Sequence, residues 1–451
     1  MISGLAVKKR AIELGFDLAG IAPIGVWKDL EFSRRWMEKS FNGEMRYLEN
    51  PKRFDPHLVL PAAKSVICAG LVYNTPLPYS TEVGGTCVRS QKSEVRNQKE
   101  KPDSPVSASA APRVWISRYA WGQDYHKIMR EKLEQLRAAL EELAPGVETR
   151  VFVDTGPVVE RAFARFSGIG WMGKNTCVIS QEKGSWFFLG VILTSLELAP
   201  DLPAPDRCGS CTACLEACPT GALVEPYVMD ASRCISYFTI EIKGTIPEQF
   251  RPKIGANVFG CDICQDVCPW NHSRQSSVLS CQSSAIGFQQ GPSQRQQPSN
   301  QRCVTRPATT KVPQFHPMMV AAHYSVMKEG GALKQLTTDH EHRAIGNAQQ
   351  TTDNGPRTTD LGPRTTHTTS FSLLNPPLDL LALISEDDFR RIFATSPIKR
   401  AKYRGWLRNL CVAMGNSGDE RFVPWLERAA QHPDPIVPEH AAWALDRLRS
   451  I

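Results

Sequence analysis

The chain has 451 residues, with 53 Lys and Arg against 46 Asp and Glu, and a formal net charge of +7 at pH 7. Its 41% hydrophobic content can bury ordinary cores, and its length suggests about two to three domains. No apolar run reaches the roughly 18–20 residues that span a bilayer, which argues against a membrane protein, and the mild positive charge suits an acidic partner such as nucleic acid.

In chain order, Met1-Ile-Ser-Gly-Leu-Ala-Val-Lys-Lys-Arg10 places charges where a secretory signal would have its apolar centre. The pattern predicts instead an amphipathic helix running to Gly15. Val66 to Tyr73 is a continuous apolar run of strand length. Residues 80–112 are polar, without apolar periodicity, and read as a flexible insert. Tyr125 to Leu143 carries apolar residues at helical spacing, Arg150 to Asp154 ends a strand, Pro157 to Phe166 is a helix, and Phe187 to Thr194 is a further strand.

Three motifs lie among these elements. Asp124-Tyr-His126 begins like the D-x-H-x-x-G motif of histidine-ligated corrinoids, but position 129 is Met, so His126 reads better as a surface or capping residue. Asp154-Thr-Gly156-Pro157 follows a strand. Asp154 is there either a catalytic carboxylate or a helix N-cap, and the sequence leaves both open. Gly168-Ile-Gly170-Trp-Met-Gly173 matches G-x-G-x-x-G, but a helix precedes it and the strand-like Thr176 to Ser180 follows, the reverse of the order a dinucleotide site requires. Its glycines are expected to form a tight turn that lets the backbone approach a flat ligand.

The cysteines carry the clearest chemistry. Cys208, Cys211, Cys214 and Cys218-Pro219 form C-x2-C-x2-C-x3-C-P, and after Cys234 come Cys261, Cys264 and Cys268-Pro269. Eight thiolates suffice for two [4Fe–4S] clusters. The fourth cysteine of such a run ligates the other cluster, which gives one set of Cys208, Cys211, Cys214 and Cys268 and another of Cys218, Cys234, Cys261 and Cys264. Structural zinc favours two CxxC pairs or mixed Cys/His sets and fits poorly. The other cysteines (Cys68, Cys87, Cys177, Cys281, Cys303, Cys411) show no disulfide-like framework, and a reducing, cytoplasmic setting suits the thiolates.

Residues 272–370 are rich in Gln, Ser, Thr and Pro and repeat Thr-Thr-Asp353-Asn-Gly-Pro-Arg357 as Thr-Thr-Asp360-Leu-Gly-Pro-Arg364. A polar unit this short buries no core, so a second, disordered insert is expected. Residues 371–451 read as successive helices with stops at Pro397, at Gly415-Asn416 and from Pro433 to Pro438, a stacked helical module. Arg390, Arg391, Lys399, Arg400, Lys402, Arg404 and Arg408 make a cationic stretch with no acid between Phe389 and Met414. It is either a solvated face or a phosphate-binding surface.

Longer motifs connect these pieces. Val153-Asp-Thr-Gly-Pro-Val-Val-Glu-Arg-Ala-Phe163, Gly168-Ile-Gly-Trp-Met-Gly-Lys-Asn-Thr176, Cys234-Ile-Ser-Tyr-Phe-Thr-Ile-Glu241 and Cys261-Asp-Ile-Cys-Gln-Asp-Val-Cys-Pro-Trp-Asn271 closely resemble those of the epoxyqueuosine reductases. The resemblance continues through Ser396-Pro397, Arg408-Asn409 and His440-Ala-Ala-Trp-Ala444 and covers essentially everything except the two inserts. It implies an α+β fold: a nitroreductase-like corrinoid-binding domain over residues 1–200 with the insert 80–112, a two-cluster ferredoxin-like domain over 201–271, the low-complexity insert 272–370, and a HEAT-like α-helical tRNA-binding module over 371–451.

The resemblance also implies a reaction. It is the reduction of epoxyqueuosine to queuosine at the tRNA wobble position, the last step of queuosine biosynthesis. Electrons would pass from two [4Fe–4S] clusters to a cobalamin that lacks a histidine ligand of the D-x-H-x-x-G kind. Asp154 matches the family's general acid, and burial against the corrin would have to raise its pKa for it to hold a proton near neutral pH. Arg53, Ser117, Asp154, Val178, Ser236 and Asp262 match cobalamin-lining positions, with Lys174 and Asn175 on the turn beside the corrin. Ser117 stands where some relatives carry cysteine, so a thiol's role does not transfer. Lys243, Arg400, Lys402, Arg404 and Arg408 are the candidate tRNA contacts. The partners implied are tRNA and a low-potential electron donor of unknown identity, with the chain a monomer. A corrinoid reductase of small organohalides is disfavoured by the basic helical C-terminal region. A ferredoxin-like carrier with an RNA-binding tail leaves the 150–180 motifs without a role.

Overall fold

A computed structural model describes residues 2–25, 28–83, 111–272, 274–275, 304–305, 308–329, 332–337 and 365–450. Its first elements are α1 (Gly4–Glu13), β1 (Leu18–Pro23), α2 (Lys28–Glu38), β2 (Ser65–Val72), β3 (Trp115–Ile116), α3 (Tyr125–Leu143), β4 (Thr149–Phe152), α4 (Glu160–Phe166), β5 (Trp171–Met172), β6 (Val178–Ile179) and β7 (Phe187–Thr194). Four strands pair in the order β1-β2-β7-β4, antiparallel throughout. The central strand β2 is apolar along its whole length because both its faces are covered. Ile67, Ala69 and Leu71 pack with Val7 of α1 and Met129, Leu133 and Leu136 of α3, while Val66, Cys68 and Val72 pack with Phe163 and Ala164 of α4. The spans read from the sequence for α3 and β7 agree with the structure, whereas α4 begins at Glu160 rather than Pro157.

The cysteine-rich segment is built from short pieces: α5 (Ala213–Ala217), the hairpin β8 (Leu223–Glu225) and β9 (Val228–Met229), α6 (Arg251–Ile254), β10 (Asn257–Phe259) and α7 (Ile263–Asp266). Strand β10 pairs parallel with β3, which seats the second cysteine run against the chain at Ser117. The C-terminal helices are α8 (Leu378–Ala382), α9 (Glu386–Ile392), α10 (Lys402–Ser417), α11 (Val423–Ala429) and α12 (Ile436–Arg449). Trp406, Leu410 and Met414 of α10 share one core with Trp115, Ile116 and Phe259, so these helices are fused to β3 and β10.

The stop expected from Pro433 to Pro438 falls at the break between α11 and α12, whereas the one at Gly415-Asn416 lies just inside α10. Gly415 lies inside α10, where a Cβ would sit 2.9 Å from the Cα and Cβ of Ala444, so glycine there permits the close approach of α12. Asn416 stays helical because its amide donates to the carbonyls of Arg251 and Gly255, at 2.8 and 3.1 Å. Pro438 falls in the first turn of α12, where a missing N–H removes no intrahelical bond.

Both inserts are narrower than their composition suggests. Ser80 already belongs to the body, since its N–H and hydroxyl both bond the Asp266 carboxylate. Residues 308–321, inside the second expected insert, pack into the protein. Asn74 donates to the Ala308 carbonyl at 3.0 Å, Gln123 N–H to Gln314 at 2.8 Å, and Met318 N–H to Trp121 at 2.7 Å. Phe315 is buried edge-on to Phe188, with ring centroids 5.0 Å apart. Further on, β13 (Met319–Glu329) pairs with β14 (Ala332–Thr337) and β15 (Thr365–Ser372), and a separate short pair joins β11 (Arg274–Gln275) to β12 (Val304–Thr305). Single apolar anchors such as Phe315 and Val320 are diluted in a Gln- and Thr-rich window, which is why composition missed them. The heptapeptide repeats at 351–364 lie outside the described residues.

Among the described residues no helix is long and apolar enough to cross a membrane. If the 308–321 strap is part of the core, Phe315→Ala should lower unfolding free energy by about 3–5 kcal/mol in urea denaturation. A change below about 0.5 kcal/mol would mark the strap as peripheral.

Candidate active site

Asp154 stands just past the end of β4 with a backbone φ of +53°, a left-handed conformation uncommon for a residue with a side chain. Arg53 holds this loop, its guanidinium donating to the Gly156 carbonyl at 2.9 Å. The N-cap of α4 is Val159, so Asp154 caps no helix, and its carboxylate is presented more than half exposed. Of the two readings the sequence left open, the N-cap is removed.

His126 faces this carboxylate. Its Nε2 lies 3.4 Å from Asp154 Oδ2, and its Nδ1 lies 2.7 Å from Asp124 Oδ1. Asp124 caps α3 through the His126 backbone N–H, and its other oxygen accepts from Lys399 Nζ at 2.8 Å. The result is a chain, Lys399–Asp124–His126–Asp154, that begins in the C-terminal region. Withdrawal from water alone would raise the Asp154 carboxyl, but the hydrogen bond and charge of His126 outweigh it and hold the group below its ordinary range. This is opposite in direction to the rise expected of a buried acid. Burial would lower His126, yet hydrogen bonds to Asp124 and Asp154 lift it to about 9. Burial likewise opposes ionisation of Asp124, and His126 and Lys399 more than offset it. The capping role read for this motif is real for Asp124. Nothing local in the sequence signals that His126 meets an acid 28 residues on.

A rim of Tyr47, Arg53, Glu241 and Arg400 surrounds Asp154. Arg400 grips Glu241 with two hydrogen bonds of 2.6 and 3.0 Å, and its guanidinium lies 5.6 Å from the Tyr47 ring centroid. Loss of hydration raises the Tyr47 hydroxyl, and Glu241 and Asp154 add to that rise.

Below the rim, Asp262 fastens the second cysteine run to the chain around β3. Its buried carboxylate accepts from Trp115 Nε1 at 2.9 Å, Ser117 Oγ at 2.5 Å and Arg118 N–H at 2.7 Å. Burial pushes this carboxyl up in spite of those donors. Ser117 is thereby spent on Asp262. Val178 is buried in the core beside Phe163 and presents no free side chain. Ser236 hydrogen-bonds the Cys234 thiol.

The thiols form two groups. Cys214 interacts electrostatically with Cys208 and Cys211, and Cys268 with Cys177, Cys208 and Cys214. Cys208, Cys211, Cys214 and Cys268 line a cavity of about 320 Å³. Cys218, Cys234 and Cys261 form the second group, and Cys264 joins it through Cys261 and Cys234. Cys177, which the sequence reading left without a role, hydrogen-bonds Cys264.

The turn that carries Lys174 and Asn175 braces the two groups. Lys174 Nζ donates to the carbonyls of Gly209 and Cys211 at 2.6 and 2.9 Å, and Asn175 Nδ2 to that of Cys264 at 3.1 Å. A Cβ at Gly170 would meet the Ile179 carbonyl at 2.3 Å, so glycine there permits the close pairing of β5 with β6.

The cationic stretch is mostly committed elsewhere. Arg390 and Arg391 pair with acids of α9, Lys399 with Asp124, Arg400 with Glu241, and Arg404 with Asp434. Arg408 is corrected outright as a tRNA contact. It is 1% exposed and donates to the carbonyls of Phe238, Ile242 and Gly244. Lys243 and Lys402 are exposed, and neither forms an ion pair among the described residues.

Comparison with known proteins assigns the chain to a family. A family model described as epoxyqueuosine reductase QueG, DUF1730, matches residues 53–155, and a 4Fe-4S double cluster binding domain matches 207–271. An epoxyqueuosine reductase of Escherichia coli (strain K12) is 32% identical over 97% of this chain and 88% of its own length. One from Pseudomonas aeruginosa is 33% identical over 98% and 93%. The chain belongs to the epoxyqueuosine reductase family.

Among solved family members, epoxyqueuosine reductase bound to an epoxyqueuosine-modified stem loop of tRNA-Tyr superposes with a TM-score of 0.66 at 27% identity, covering 98% of this chain and 89% of that one. The Bacillus subtilis epoxyqueuosine reductase, with its catalytic aspartate loop swung out of the active site, gives a TM-score of 0.65 at 26% identity, covering 98% and 89%. Within this family member the cluster loops depend on Asp262. Asp262→Ala would strand three buried donors and should cost about 3–5 kcal/mol. Iron and acid-labile sulfide per chain should fall after anaerobic reconstitution, while Asp262→Asn, which still accepts, should retain them. Full loading of the Ala variant would remove Asp262 from this role.

Proposed function

We propose that this chain reduces epoxyqueuosine to queuosine in tRNA. The observation that carries the reading is the Asp154–His126 acid pair, in a chain whose residues 207–271 match a 4Fe-4S double cluster binding domain. We assign the sheet-containing body as the nitroreductase-like corrinoid domain, the cysteine segment as ferredoxin-like, and the C-terminal helices as HEAT-like.

Cobalamin fits the residues at the rim. Tyr47, Arg53, Arg400 and Asp154 offer polar groups to a large polar ligand, and both ring nitrogens of His126 are engaged, which leaves no imidazole lone pair for cobalt. That engagement supports a cobalamin without a histidine ligand. When bound, the two clusters and the cobalamin would supply the electrons that convert an epoxide to an alkene. The protein's own part is narrower. Arg53 keeps the Asp154 loop in place, and Asp154 brings a proton to the departing oxygen.

Asn175 and Asp262 act on this reading by fixing the cluster loops beneath the cofactor, with Ser117 and Ser236 supporting them. Cys211 is exposed, so a low-potential donor would approach at the first thiol group. Lys243 and Lys402, which form no ion pair among the described residues, are offered to the tRNA backbone, with Arg400 and Arg404 exchanging their acids for phosphate. A monomer in a reducing cytoplasm suits the unpaired thiols.

The test is anaerobic reconstitution with iron, sulfide and cobalamin, followed by single turnover on epoxyqueuosine-containing tRNA and nucleoside mass spectrometry. Loss of one oxygen mass is expected with cobalamin and none without it. Asp154→Asn should bind cobalamin yet turn over about 10²–10⁴-fold more slowly. Full loading of both cofactors with no product would defeat the proposal.

A further inference from the structure

We infer that His126 stores the proton that Asp154 delivers, and that Asp124, clamped by Lys399, fixes His126 in that role. The inference rests on Asp154 marking the reductase site and adds to it a positioning residue and a route. Converting an epoxide to an alkene breaks two C–O bonds, takes up two electrons and releases the oxygen as water, which consumes two protons. The electrons come from the iron–sulfur and corrinoid couple named above. The protons must come through the protein.

Asp154 by itself is poorly suited to hold one. Its partner keeps it ionised, and it sits more than half exposed. His126 is the group beside it that is both loaded and within reach, 3.4 Å from Oδ2. Transfer from Nε2 to Oδ2 turns an imidazolium–carboxylate pair into imidazole and carboxylic acid. The acid then protonates the oxygen as the first C–O bond breaks. The His126 side chain is 30% exposed, so it can be reprotonated from solvent for the second proton, and water leaves as the second bond breaks. Throughout, Nδ1–H stays on Asp124, which fixes the tautomer and the ring orientation.

The other groups around the pair do not serve. Glu160 lies buried behind the loop, pushed up to about 7 by burial and then by Asp154, and one of its oxygens has no partner. Tyr119 and Tyr125 are half-buried, and loss of hydration makes both hold their protons too tightly, so Tyr125 serves Asp154 only as a hydrogen-bond partner. Tyr47 is also raised, Glu241 is occupied by Arg400, and Arg53 is tied to Gly156. Lys399 reaches Asp124 rather than Asp154 and comes from the segment Pro397–Ala401, next to Arg400 and Lys402, the candidate tRNA contacts. The proton store is therefore anchored to the side of the protein on which tRNA is proposed to dock.

The experiment follows the ring nitrogens of 15N-histidine-labelled oxidised holoenzyme by NMR and, in parallel, the pH dependence of single turnover. The store is full below the His126 midpoint and empties above it. The rate should therefore be level through neutral pH and fall above about 9. Asp124→Asn keeps the helix cap, because Asn caps as well as Asp. It should move both the midpoint and the alkaline limb down toward about 6.5. His126→Gln, which keeps a donor at this position but cannot carry the charge, should lose about 10²-fold at neutral pH and lose that limb. An NMR midpoint that moves in Asp124→Asn while the limb stays would overturn the proposal, as would a His126→Gln enzyme with the wild-type rate and profile. If the wild-type holoenzyme itself makes no product, the reading of the site has failed. The midpoint then still decides the store on its own, and an ordinary value that is insensitive to Asp124→Asn ends it.

Discussion

The buried carboxylate of Asp262 is the joint on which the site is assembled. It sits between Cys261 and Ile263, inside the run that supplies half of the second thiol group, and takes three hydrogen bonds from the chain between Trp115 and Arg118. A buried charge without such donors would cost several kcal/mol. Here the donors are held by β3 pairing with β10, so the two strands and the carboxylate define each other's position. Arg118 carries the constraint outward. Its guanidinium donates to Thr75, Leu77 and Pro78 and lies over the rings of Tyr79, Trp121 and Trp186. One acid thus links the cysteine run, the chain after β2 and the turn that leads into α3.

That turn ends at Asp124 and His126, and the geometry of the acid pair follows from it. The Asp124 N–H is held by the Thr395 carbonyl at 2.7 Å and its side chain by Lys399, so the start of α3 is fixed from the C-terminal side. Asp154 arrives from the opposite direction, at the end of the outer sheet strand β4, on a loop secured by Arg53. The sheet interior is rigid and packed on both faces, whereas the groups with chemistry all lie on segments joining its elements, as expected of loops on a fixed scaffold. The C-terminal helices belong to this arrangement because their core continues through Trp115 and Phe259.

What was legible in the sequence was local. The apolar run of β2 and the helical period of α3 report on residues that are neighbours in the chain, and both agree with the structure, while the cysteine spacing agrees with the 4Fe-4S double cluster model that matches residues 207–271. What was illegible depends on partners distant in sequence. His126 reads as a cap until Asp154 is placed beside it. Lys174 reads as a ligand contact until the carbonyls of Gly209 and Cys211 come within reach. The strap 308–321 fails for the complementary reason: its burial rests on Phe315 and Val320 and on backbone hydrogen bonds, which a composition window does not register.

The cationic stretch shows how counting charges differs from locating them. Seven basic residues with no intervening acid suggested a phosphate-binding face, but the fold supplies acids from elsewhere: Asp124, Glu241 and Asp434. Arg408 is consumed completely, with its guanidinium ending the carbonyls of Phe238, Ile242 and Gly244 where that chain leaves helical geometry. A guanidinium suits this structural task because its fixed fork of donors satisfies several carbonyls at once without losing its charge. Its burial lowers the affinity for the proton, to about 10, but leaves the group cationic at neutral pH. The stretch therefore does two jobs. Arg408 anchors the cluster segment to α10, and the residues before it hold acids that line the cleft, so the helices that face tRNA on the proposed reading are also those that shape the acid site.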